Sequence, residues 1–170
     1  MKIVSEENIE KAIDLIEAMS DDEFAAFAIE FTTSQPSLAG YIFIHEEEFS
    51  DDDFDLLANL ALTIFKAYQL QCGTGRLLSE VEIEDAAMRQ MDYLESIEDA
   101  TEEDIPGLVE KAFDDTQQPV LLEFAARELH DAESAGGIEH PSGGALMYPI
   151  LQMVVDMLDI AFNGTALRVV

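Results

Sequence analysis

The longest apolar stretch of this chain, Ser50 to Cys72, opens with a hydroxyl and three aspartates, then places Phe54, Leu57, Ala61, Phe65 and Tyr68 along one helical stripe. Leu56, Leu60, Leu62 and Ile64 fill much of the remaining circumference. A helix that is apolar nearly all round belongs in the middle of a fold. Asp55, Asn59 and Lys66 interrupt the run, which leaves it too short and too polar for a bilayer. Ala145 to Asn163 is a second stretch of the same kind. The remaining helices are expected to pack around these two.

Those helices announce themselves at their starts. Ser5 caps a first helix carrying Ile9, Ile13 and Ile16, and Ser20 with Glu23 forms a capping box ahead of Phe24, Phe27 and Phe31. Pro36 suits the first position of a third helix reaching about His45, and Gly73 stops the central one. Ser79 with Glu82 is a second capping box, followed by Ile83, Ala87, Met91 and Leu94. Thr101 opens a sixth helix and Pro119 a seventh through about Glu133. A glycine-rich loop spans Gly136 to Gly144, and Pro149 makes the last helix begin near Tyr148 or kink there. The fold class is therefore all-α, with about eight helices in one domain over residues 1–170.

The order of these starts repeats. Ser5 to Ala12 matches Ser79 to Ala86 in five of eight positions, Ser20 to Phe24 parallels Thr101 to Ile105, and Gln35-Pro36 parallels Gln118-Pro119. Each half ends in its most apolar helix. The pattern predicts two duplicated four-helix units, residues 1–75 and 76–165, packed around the two apolar helices.

Composition narrows the partners. With 37 acidic residues against 8 basic ones the formal net charge is −29. Nucleic acid and anionic membranes are repelled, and a basic protein is attracted. An apolar fraction of 48% argues for a packed core rather than disorder. The lone Cys72 and a charged N-terminal stretch without an apolar core indicate a cytoplasmic protein. Leu167 to Val170 is an apolar tail through which a dimer is conceivable.

Candidate chemistry is sparse. Asp51, Asp53 and Asp55 have alternate calcium-loop spacing, but Leu56 and Leu62 occupy the positions that need the turn glycine and the bidentate glutamate. His45 with Glu48, and His130 with Glu133, are i, i+3 pairs at corresponding places in the two halves, and a metal-dependent hydrolase would need all four to converge. His140 and Ser142 precede a helix without a nucleophile-elbow pattern, and the Cys72 to Arg76 turn lacks a phosphate-loop lysine. Arg89 and Arg127 sit among apolar residues and should pair with acids. No catalytic, cofactor or metal site is assigned. The expected function is a non-catalytic intracellular binding or adaptor domain for a basic protein. The alternatives are an acidic inhibitor, such as an immunity protein or nucleic-acid mimic, and the metal hydrolase.

Overall fold

The computed structural model describes residues 2–99, 116–140 and 142–164. Among them the chain forms seven α-helices and no strand: α1 (Glu6–Glu17), α2 (Asp21–Ser34), α3 (Pro36–Phe43), α4 (Asp51–Cys72), α5 (Glu80–Glu98), α6 (Pro119–Ser134) and α7 (Gly143–Asn163). A 3₁₀ turn, Glu46–Glu48, follows α3, which ends before His45. The helix expected at Thr101 falls outside the described residues.

The starts are built as the side chains dictate. Ser20 Oγ accepts from Glu23 N while Glu23 Oε2 accepts from Ser20 N at 2.8 Å, and Ser79 with Glu82 repeats the reciprocal pair. Glu82 is also clamped by the Arg76 guanidinium, which, with the Ser79 amide, holds its carboxyl down at about 2. Pro36 and Pro119 occupy first positions, where the missing N–H costs nothing.

α4 and α7 pack against each other at the centre, with α1 against α4, α6 and α5 against α7, α3 bridging α5 and α7, and α2 on α3 and α4. From Leu60 to Phe65 every residue of α4 is buried, as an all-round apolar helix requires. The Tyr68 ring is fully enclosed, stacks on Phe162 at 5.4 Å and donates its hydroxyl to the Val155 carbonyl at 2.9 Å, tying the two central helices together. Although α7 is long and apolar enough to cross a membrane, 61% of that stretch is buried inside the fold. It begins at Gly143, before the expected start, and runs through Pro149. Gln90 of α5 donates to the Pro149 carbonyl, and its Oε1 accepts from the Tyr41 hydroxyl at 2.6 Å. The proline is thus buttressed from α5.

Two glutamines hold the segments that lead into helices. Gln35 and Gln118 are almost wholly buried, at 2% and 1% exposure. Gln35 Nε2 donates to the Arg76 carbonyl at 2.7 Å and its Oε1 accepts from Leu78 N at 3.2 Å. Gln118 Nε2 donates to the Lys2 carbonyl at 3.0 Å and its Oε1 accepts from Val4 N at 2.8 Å. Gln118 Nε2 also meets Asp159 Oδ1 at 2.6 Å, and Asn163 exchanges hydrogen bonds with both backbone groups of Lys2.

Candidate functional site

The residues singled out from the sequence scatter. His45 Nδ1 lies 3.1 Å from Glu48 Oε1, and its ring meets Tyr41 edge-on at 5.1 Å, with Nε2 buried and unpartnered. His130 and Glu133 are exposed on α6, and Glu133 lies against Gly144. The four do not gather: among the described residues no group of three or more His, Cys, Asp or Glu is placed to hold a metal ion.

The aspartate run at the start of α4 has a different job. Asp53 is fully buried, and its two carboxylate oxygens accept from Glu139 N at 2.8 Å and His140 N at 3.0 Å. One side chain therefore anchors the loop ahead of α7 to the first turn of α4. In that loop His140 Nδ1 accepts from Ser142 N at 3.0 Å, so this nitrogen is engaged by backbone rather than by the serine hydroxyl. Burial raises the Cys72 thiol, and its sulfur faces Asn163 Oδ1 at 3.8 Å, which leaves it a packed group rather than a nucleophile.

Of the two arginines expected to pair with acids, Arg127 forms an ion pair with Glu128 and no acid pairs with Arg89 among the described residues. Arg127 is largely exposed and pairs with its chain neighbour Glu128 at 3.7 Å, while Nη2 of Arg89 is buried with no hydrogen-bond partner. A helical position among apolar residues reports burial and says nothing about which acid the neighbouring helix brings opposite.

What the fold does assemble is a pair of surfaces. On the edge made by α2, α3 and the start of α4, Ile29, Phe43 and Ile44 stand 66%, 53% and 69% exposed. Of these three, Phe43 lines an apolar depression of about 70 Å³ that Phe31, Ala39, Ile42, Phe54 and Leu62 also wall. Phe43 leans on Phe54 with ring centroids 5.9 Å apart. Exposed carboxylates follow directly in the chain: Glu46, Glu47 and Glu48 in the 3₁₀ turn, then Asp51, Asp52 and Asp55. Between α1, α2, α4 and α6 there is a separate cleft of about 350 Å³, with Ile13, Ile16, Met19, Phe24, Leu60 and Phe124 on its apolar walls and Glu17, Asp21 and Glu128 among its polar ones. The outer face of α5 exposes Val81, Met88 and Met91.

α7 carries two carboxylates inside its apolar length. Asp159 is buried and accepts from Gln118 Nε2 and from Asn163 Nδ2 at 2.7 Å. Burial, and then the charge of Asp159, push the Asp156 carboxyl up to about 7. Burial first, and then the same two acids, raise the Tyr68 phenol. No protein family, curated protein or solved structure matches the chain. Its chemistry is read from its own residues.

Proposed function

We propose that the chain is a non-catalytic, acidic protein-binding domain that acts inside the cell and takes a basic protein segment on the edge formed by α2, α3 and the start of α4. The observation that supports this reading is the position of Phe43. An aromatic ring more than half exposed beside an apolar depression is the form of a binding hot spot. Its six flanking carboxylates select a partner whose apolar anchor is surrounded by lysine or arginine. The net charge of −29 steers such a partner in and turns nucleic acid away.

The architecture behind this edge is a duplication of one helical unit, residues 1–75 and 76–165. Support comes from the leads to α1 and α5. Lys2, Ile3, Val4, Ser5 and Glu6 align with Arg76, Leu77, Leu78, Ser79 and Glu80, and in both the third residue is buried and the second exposed. Each lead is held by a buried glutamine at a helix N-cap, with φ and ψ of −137° and 60° at Gln35 and −132° and 62° at Gln118. Each glutamine holds the lead of the other unit, as a fused pair would.

The test is capture from native cell lysate at low salt, with elution by rising salt and mass-spectrometric identification. A basic protein should be retained by the wild type and released sharply by salt, and Phe43→Ser with Ile44→Ser should lower its retention at least about tenfold. Retention unchanged by the double substitution would remove this edge as the site.

A further inference from the structure

The cleft between α1, α2, α4 and α6 is independent of the α2–α3 edge, and its chemistry calls for a smaller ligand. Its volume, about 350 Å³, lies at the lower end of the range of small-molecule pockets. Leu60 and Phe124 are buried beneath it and the half-buried Phe24 borders it, so an apolar body entering the cleft displaces water from hydrocarbon. All of the charged side chains in its lining, Glu17, Asp21 and Glu128, are carboxylates, contributed by three helices. Glu128 is ion-paired with Arg127 at 3.7 Å, a separation too long for a hydrogen bond to that guanidinium. The buried Thr63 hydroxyl gives its proton to the Asn59 carbonyl at 2.9 Å and presents only lone pairs to anything else.

We infer that this cleft binds a small organic cation, an ammonium group carried on an apolar body. The body lies over Leu60 and Phe124, and the ammonium is held at the acidic rim, where an aromatic ring adds to the attraction of the carboxylates. A neutral molecule of the same shape gains only the apolar part. An anion of that shape meets three carboxylates and no cation in the lining. The same ammonium can arrive as a free amine or as a lysine side chain of a bound protein, and the two sources are separable.

The experiment is a titration of the ¹⁵N-labelled full chain, followed by amide shifts. The probes are 2-phenylethylammonium, the neutral 2-phenylethanol, the anionic 3-phenylpropionate and a Gly-Lys-Gly amide peptide. Saturable shifts at Asn59, Thr63 and Glu128 are expected with an ammonium probe, at least about tenfold weaker with the alcohol and absent with the carboxylate. Glu128→Gln and Asp21→Asn should each weaken the ammonium several-fold without moving the thermal midpoint. Saturation by phenylethylammonium alone marks a free-amine site, and saturation by the lysine peptide alone marks a side-chain receptor. Equal binding of the alcohol, binding that survives both substitutions, or no saturation by either ammonium would overturn the inference.

Discussion

Gln35 and Gln118 make the same two main-chain hydrogen bonds in opposite senses of the chain: Gln35 reaches forward to Arg76 and Leu78, and Gln118 reaches back to Lys2 and Val4. Replacing either by leucine keeps the volume and strands a buried backbone N–H; the Arg76 carbonyl also loses its donor in Gln35→Leu, whereas the Lys2 carbonyl keeps Asn163 in Gln118→Leu. Gln35→Leu should cost about 1–2 kcal/mol and Gln118→Leu about 2–3 kcal/mol, the second more because it also removes one of the hydrogen bonds to the buried Asp159 carboxylate, which keeps Asn163. Urea denaturation of the two variants measures the ordering, and equal midpoints would contradict it.

Asp53 carries two charge-assisted hydrogen bonds to the loop before α7. Asp53→Ala is expected to lower stability by about 2–4 kcal/mol, and Asp53→Asn, which keeps one acceptor oxygen, by roughly half as much. Hydrogen exchange at the Glu139 and His140 amides should accelerate in both variants. Unchanged exchange there would mean that the loop is held by something else.

Asp156 gives the fold a pH dependence of known sign. Its folded carboxyl is raised to about 7 from an ordinary 3.8, so the fold binds the proton more tightly than the unfolded chain does. The stabilisation from that proton is complete below about pH 4 and is lost as pH rises through about 7. Self-repulsion of the net charge acts in the same direction, so the informative comparison is with Asp156→Asn. This variant should be more stable than the wild type at pH 8, by a margin on the order of a few kcal/mol that closes toward pH 4. A margin independent of pH in thermal unfolding would refute the assignment.

Two glycines should respond oppositely to alanine. A Cβ at Gly75 would meet the Phe162 ring at 2.9 Å, and that ring is fixed between Tyr68 and Phe65. Gly75→Ala should therefore cost about 1–3 kcal/mol. At Gly144, within α7, the obstacle is the carboxylate end of the exposed Glu133, which can swing away. Gly144→Ala should be neutral or stabilise by up to about 1 kcal/mol through helix propensity. Thermal midpoints moving the same way in both would show that the ring yields.

The all-helical class was legible because its signals are local. The capping boxes at Ser20 and Ser79, the prolines at the starts of α3 and α6, and the all-round apolar character of α4 each depend on residues within a turn or two. The two surfaces were not legible, because periodicity reports how a helix divides its own circumference and not what its neighbours cover. Phe43 and Ile44 read as more of an apolar third helix, yet among the described residues no helix closes over them. The cleft needs Glu17, Asp21 and Glu128 from three helices, and none stands out among 37 acidic residues. Asp53 was hidden in the same way, as one of three consecutive aspartates at a helix start. Gln35 and Gln118 did leave a trace, a glutamine before proline in both places, but a glutamine in a loop carries no sign of burial.

The hydrogen bonds on the main-chain groups of Lys2 and Val4 come from Gln118 and Asn163, more than a hundred residues along the chain. No local process can close them. α1 can settle on α4 once residue 72 exists, but the main-chain groups of Lys2 and Val4 gain their hydrogen bonds only when Gln118 and the end of α7 are in place. During synthesis the segment ahead of α1 thus emerges before that helix and has its main chain fixed only after α7.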